Sequence, residues 1–249
     1  MVILKLPEEI ERARASSQIV AEVLNKLRDK VKPGVATKEL DRFAEEIALK
    51  RGAKPAFKGY RGYPYSLCTS VNEEVVHGMP SERMLKEGDI ISLDFGVFYK
   101  GFFGDAAITL PVGKIAGSAQ KLIEVTEQSL YAGIEQAKEG NRLGDISSSV
   151  QHIVEAPGFS VVRDFVGHGI GRNLHEDPQI PNYGKKGRGI ELKSGMILAI
   201  EPMVNQGDYK VIILKDGWTV VTEDGKLSAH FEHSVAITEN GPDILSKLN

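Results

Sequence analysis

Lys86-Glu-Gly-Asp-Ile-Ile-Ser-Leu-Asp94 and Lys193-Ser-Gly-Met-Ile-Leu-Ala-Ile-Glu201 are two renderings of one pattern. Lys and Gly stand in the same places, an apolar run that reads as a strand follows, and a carboxylate closes each copy. A second carboxylate comes later in each half, ahead of a strand that ends in Ile-Thr. These are Asp105 before Ile108-Thr109 and Glu232 before Ile237-Thr238. The separations differ, and short strand-turn patterns recur by chance. Two matched pairs in the same order favour an internal repeat. A domain with pseudo-twofold halves brings the four carboxylates to one centre.

Outward from this pair, the chain alternates helices and strands. Residues 8–30 carry apolar side chains near a period of 3.6 and read as a helix that starts at Pro7 and stops at Pro33-Gly34. A second helix starts at Thr37, taken as its cap, and ends at Gly52. Residues 54–65, rich in Gly, Pro and aromatics, read as a loop. Strands are expected at 66–71, 90–95, 97–99 and 101–110. Helices follow at 121–137 and at 143–156, with Asp145 near the start of the latter. A strand at 161–166 leads into a Gly/Pro-rich loop at 167–189. Strands at 196–200, 210–214, 218–222 and 228–238 complete an α+β chain, read as a single catalytic domain over residues 1–249.

Composition narrows the function. The 249 residues are 41% apolar and 26% charged, near the average of soluble globular proteins. A net charge of −3 supplies no global positive field for nucleic acid. No apolar run approaches the roughly 20 residues of a membrane helix. The single cysteine, Cys68, forms no intrachain disulfide, which fits a reduced, cytoplasmic setting. The first 16 residues turn charged at once and lack the apolar core of a signal peptide.

Asp94 alone reads as a strand-end cap before Gly96, and Asp105 as a turn residue after Gly104. Glu201 follows the apolar run 197–200 and precedes Pro202, and Glu232 sits inside a strand, between Phe231 and His233, where no turn explains it. Four acidic groups on apolar strands repel one another unless cations neutralise them. His168, in Val166-Gly-His-Gly-Ile-Gly171, alone reads as a structural residue in a Gly turn; beside four carboxylates it reads as a ligand. Such a hard donor set suits Mn²⁺, Fe²⁺, Co²⁺ or Zn²⁺, and two such ions sharing carboxylates can hold a nucleophilic hydroxide. His77 and His175 are candidates for proton chemistry, and a role-free surface histidine is an equally good reading of each. His152 reads as solvated. His230 and His233 are expected to share the face opposite Glu232, with His230 able to reach a neighbouring site. No nucleophile elbow or phosphate-binding loop is present.

The segments Asn72-Glu-Glu-Val-Val-His-Gly, Gly88-Asp-Ile-Ile-Ser-Leu-Asp94, Gly104-Asp-Ala-Ala, Gly167-His-Gly-Ile-Gly171, His175-Glu-Asp-Pro-Gln-Ile-Pro-Asn182, Ala199-Ile-Glu-Pro-Met203 and His230-Phe-Glu-His233 together resemble the bacterial-type (type I) methionine aminopeptidases over essentially the whole chain. The resemblance implies a pita-bread fold and removal of the initiator methionine from nascent polypeptides. It implies Asp94, Asp105, His168, Glu201 and Glu232 as ligands of two divalent ions (Co, Mn, Fe or Zn). Asp105 and Glu232 would bridge the ions, and Glu201 would have a catalytic role besides. His77 and His175 correspond to the family's active-site histidines. Tyr60, Tyr63, Cys68 and Trp218 fall at or beside its methionine pocket, in a chain that also offers Phe57, Tyr65 and Met203. The expected partners are peptides with N-terminal Met and a small second residue, with the ribosome a candidate. A monomer that engages neither membranes nor specific nucleic acid sequences is expected. Aminopeptidase P and prolidase enzymes share the ligand set but carry an extra N-terminal domain. The short loop at 177–191 leaves no room for the helical insertion of type II enzymes. A non-catalytic binding module of the same fold typically loses ligands, and here all five are present.

Overall fold

A computed structural model describes residues 2–247. Two helix pairs back one curved antiparallel sheet. Helix α1, Pro7–Arg28, starts where expected: Pro7 occupies the first turn, and the Glu9 carboxylate accepts the Leu6 N–H at 2.9 Å. Its buried stripe includes Ala13, Val20, Val23, Leu24 and Leu27. Helix α2, Thr37–Lys50, begins at Thr37, but Thr37 does not cap it; Ala36 stands at that position without a side-chain bond. The Thr37 hydroxyl instead donates to Ser81 O and accepts from Ser81 N–H, tying the helix start to a distant loop. The second pair, α3 (Gly117–Gln136) and α4 (Leu143–Glu155), packs together behind the second half of the chain. The Asp145 carboxylate accepts the Arg142 N–H at the α4 start.

The order of strands in the sheet carries the pseudo-symmetry. Ile90–Tyr99 pairs with Phe102–Pro111, which meets Glu232–Thr238, which pairs with Ile197–Ile200. Gly167–Gly169 and Glu176–Ile180 extend that side, and Leu67–Val71 flanks Ile90–Tyr99 on the other. The second carboxylate strand of each half thus lies at the centre and the first lies outside it. Two smaller sheets complete the molecule. One joins Ser228–His230, Met203–Asn205 and Ser160–Val161; the other joins Val211–Ile213, Val220–Thr222 and Glu74–Val76.

Helix α1 lies on the hairpin of Ile90–Tyr99 and Phe102–Pro111 at very close range. A Cβ at Gly104 would come within 2.5 Å of Ser17 N, so only glycine lets the helix approach. Ser16 Oγ sits 3.0 Å from Phe102 O and 3.1 Å from Tyr99 O.

Several expectations are corrected. Residues 97–99 are not a separate strand but the continuation of Ile90–Tyr99, so neither Asp94 nor Asp105 is a strand-end or turn residue. The loop at 54–65 contains the short strand Lys54–Pro55 and a 3₁₀ turn, Tyr60–Gly62. The strand expected at 161–166 is only Ser160–Val161, because Arg163 and Asp164 turn to solvent. The loop at 167–189 contains two strands, so His168 sits in a ladder rather than a turn. The long strand at 228–238 breaks at Phe231 because its halves serve different sheets. Their partners are parted by Pro202, which has no N–H to give a ladder.

Candidate active site

Strand register gathers the predicted side chains onto one face. Asp94 and Glu232 both stand opposite Ala107, and Asp105 lies two residues from Ala107 on the same side. Cys68 stands opposite Asp94. His168 stands opposite Ala199, two residues before Glu201. The flanking glycines of His168 have a packing reason. A Cβ at Gly167 would lie 2.4 Å from Ala199 O, and one at Gly169 would collide with Asp177 O.

These side chains converge on a cavity of about 190 Å³ lined by Asp94, Asp105, His168, Glu201 and Glu232. Its wall also includes Tyr60, Tyr63, Cys68, His77, His175 and Trp218, together with Phe57 and Met203, whereas Tyr65 is not part of it. Donor atoms of Asp105, His168 and Glu232 all fall within 4.8 Å of one another. Glu201 Oε1 lies 3.6 Å from His168 Nε2. Asp94 Oδ1, Asp105 Oδ1 and Glu232 Oε1 are buried and accept no hydrogen bond. Burial raises the pKa of all four carboxyl groups. The charge of Asp94 raises Asp105, Glu201 and Glu232 further. Orphaned buried acceptors are rare in folded proteins. A set of them beside an imidazole fits divalent cations, which supply the missing charge and fill the lone pairs.

The histidines divide by position. His175 sits at the cavity mouth, its Nδ1 2.9 Å from the Tyr60 hydroxyl and its ring stacked on Tyr60. The His168 ring is 4.3 Å away, centroid to centroid. The His77 ring stands nearly perpendicular to those of Phe165 and Trp218, on a backbone at φ +59°, a left-handed conformation uncommon outside glycine. Burial lowers its pKa to about 4, with a smaller push from His175. Desolvation and then the Arg61 cation lower that of His175. The expectation for His230 and His233 is corrected: they do not share a face. His230 lines the cavity with Glu232, its unpartnered Nε2 3.7 Å from Glu201 Oε2. His233 points to the helix side, where its Nδ1 meets Ser246 Oγ at 2.8 Å and its ring faces Tyr131. Strict two-residue alternation from Glu232 already pairs it with His230.

Sequence reading also missed Phe165, Arg61 and Asn182. Phe165 and Arg61 line the cavity, and Asn182 Nδ2 donates to Glu201 O at 2.9 Å. Residue 165 lay in a presumed strand and carried no distinguishing signal. Tyr63 is nearly inaccessible; its hydroxyl donates within reach of Gly78 O and Leu67 O, so it braces the loop that carries His77 as well as lining the cavity. Among the described residues, no helix is long and apolar enough to cross a membrane.

Known proteins share this sequence and fold. The pattern of metallopeptidase family M24 matches residues 11–239. The chain is 59% identical to the methionine aminopeptidase of Clostridium perfringens and 55% identical to methionine aminopeptidase 1 of Bacillus subtilis, each over the full length of both chains. The crystal structure of methionine aminopeptidase from Thermotoga maritima, 51% identical, superposes with a TM-score of 0.98 over all of both chains. The prolidase from Pyrococcus furiosus, 24% identical, shares the fold at a TM-score of 0.80, and the match covers 66% of its chain. The fold is therefore the pita-bread fold, the family implies a divalent metal in catalysis, and the chain belongs to metallopeptidase family M24, among its bacterial-type methionine aminopeptidases.

Proposed function

We propose that this enzyme removes the initiator methionine from nascent polypeptides in the cytoplasm, as one catalytic domain acting as a monomer. The observation that carries the reading is the cluster of orphaned carboxylate oxygens beside His168 at the floor of a cavity walled by aromatics. Asp94, Asp105, His168, Glu201 and Glu232 would hold two divalent ions, with Asp105 and Glu232 shared between them. Such ions, when bound, make a water acidic enough to yield hydroxide at neutral pH and polarise the scissile carbonyl. Glu201 would have a catalytic role besides, taking the proton that the attacking water gives up. His175 and His77 contact the peptide at the scissile bond, His175 at the carbonyl and His77 at the peptide nitrogen. Tyr60, Tyr63, Cys68 and Trp218 shape the slot for the methionine side chain, whose sulfur favours aromatic edges.

Peptides test the substrate. Met-Ala-Ser is expected to be cleaved, Met-Leu-Ser more slowly, and Ala-Pro-Ala not detectably. Lys-Ala-Ser should lose at least about 100-fold in kcat/KM, because a slot lined by Tyr60, Tyr63, Cys68 and Trp218 offers its ammonium group no opposite charge. Norleucine in place of methionine should stay within the ~10–200-fold that one small apolar change allows. Equal cleavage of the Met and Lys peptides would refute the slot, and preference for Ala-Pro-Ala would point to an aminopeptidase P activity.

Glu232→Gln tests the shared ligand. The change keeps the volume and removes one of four negative charges at the centre. We expect kcat to fall at least about 100-fold as the ions lose a common anchor. Steady-state kinetics of a folded variant at native kcat would remove Glu232 from the ligand set.

A further inference from the structure

The two halves of the ligand cradle meet along a very short seam. Only Glu232 opposite Ala107 and His233 opposite Ala106 pair across it. Counting two residues each way from the Glu232–Ala107 pair sets Ser234 opposite Asp105 and Thr109 opposite His230. At both places the ordinary ladder is replaced by a side chain. Ser234 Oγ donates to Asp105 O at 2.7 Å and accepts the Asp105 N–H at 3.2 Å. Thr109 Oγ1 donates to His230 O at 2.8 Å and accepts the His230 N–H at 2.9 Å. The single Thr109 proton is then committed, so Ser92 is the donor in the 2.8 Å contact between the Ser92 and Thr109 hydroxyls.

The two clasps are related by the local twofold through the Ala107–Glu232 pair. One hydroxyl comes from each half, and each satisfies both backbone groups of a residue in the other. The clasped residues matter to the site. Asp105 is one of the buried donors, and His230 lies two residues before Glu232 on the cavity face. Directly bonded strands approach to about 4.7–4.9 Å. A hydroxyl set between backbone groups holds them farther apart, at a spacing fixed by two bonds to one oxygen. Asp105 comes from one side of the seam, Glu232 and His168 from the other, yet their donor atoms fall within 4.8 Å. Seam width therefore sets donor spacing. Thr109 and Ser234 are both buried, so no water competes for these bonds.

Resting on the metal site described above, we propose that Thr109 and Ser234 are positioning residues, whose hydroxyls set the separation of the two ligand-bearing strands and so the fit of the divalent ions. Thr109→Val is isosteric and abolishes both bonds of one clasp, whereas Thr109→Ser keeps them. Mn²⁺ affinity of the full chain, measured by competition with a metal-indicator dye, is read beside kcat, KM and melting temperature. We expect Thr109→Val to weaken Mn²⁺ binding by about 10–100-fold, the range seen when groups that orient ligands are removed, and to lower kcat with little change in KM. Thr109→Ser should bind Mn²⁺ nearly as the native chain does. A Thr109→Val enzyme with native Mn²⁺ affinity and kcat overturns the proposal, even if its melting temperature falls. So does a Thr109→Ser enzyme impaired as severely as Thr109→Val, since the hydroxyl would then not be the cause. Should Thr109→Val fail to fold, Ser234→Ala decides by the same criteria. A native chain that takes up no divalent ion would instead refute the metal site itself, and that result is visible before any variant is made.

Discussion

Prolonged chelation is expected to abolish peptide cleavage, and Mn²⁺, Co²⁺ or Fe²⁺ to restore it. Without cations, four carboxyl groups share one pocket with acceptors that nothing satisfies. Their pKa values are raised in the folded state by burial, and those of Asp105, Glu201 and Glu232 further by neighbouring carboxylates; for Asp94 the value is about 7. The native state thus holds protons that the unfolded chain has already released. Such groups stabilise the fold below their ordinary pKa, and that contribution is lost as pH rises through the folded value. The metal-free protein should accordingly melt at lower temperature as pH rises from about 4 to 7. Added Mn²⁺ binds only the folded state, raises the melting temperature and flattens that slope. Activity and melting curves of a sample shown metal-free by elemental analysis test both halves. Full turnover in that sample would exclude the metal from the reaction.

The centre was legible in sequence because its signal is chemical rather than local. An acid at the end of an apolar run is costly anywhere, and a repeat of the same cost in the same order needs a common cause. Helix α1 was legible because one apolar stripe and one proline define it. The misreadings share a different origin. Thr37 had the right residue type for a cap, but Ser81 competes for its hydroxyl through a contact 44 positions away. The strand at 228–238 looked continuous because its own residues are good strand formers. What breaks it is Pro202, between the partner strands, which no reading of 228–238 contains. His168 looked like a turn residue because Gly-His-Gly suggests one. Its glycines are there because carbonyls of neighbouring strands press against both. The face shared by His230 and Glu232 needed only consistent two-residue counting. The clasps at Thr109 and Ser234 were invisible, since serine and threonine in strands carry no mark of which backbone they will meet.

His175→Ala and His77→Ala are each expected to lower kcat by about 10²- to 10⁴-fold while leaving metal content unchanged, the range typical of acid–base and oxyanion assistance. Both rings line the cavity, and neither belongs to the donor cluster of Asp105, His168 and Glu232. Desolvation holds the pKa of both below the ordinary histidine value, and the Arg61 cation lowers that of His175 further, which favours neutral rings near pH 7. A neutral imidazole can donate from only one nitrogen. At His175 the Tyr60 hydroxyl lies 2.9 Å from Nδ1. If Tyr60 donates there, the proton sits on Nε2, which leaves an N–H to meet charge developing on a substrate oxygen. Tyr60→Phe removes that constraint on the tautomer and should cost kcat less than His175→Ala does. His77 is held differently, by the near-perpendicular rings of Phe165 and Trp218 and by its left-handed backbone, so its aim depends on packing rather than on a hydrogen bond. Steady-state kinetics with elemental analysis on each variant separate the possibilities. If His175→Ala or His77→Ala lost metal in proportion to activity, that histidine would be supporting the metal site rather than the substrate.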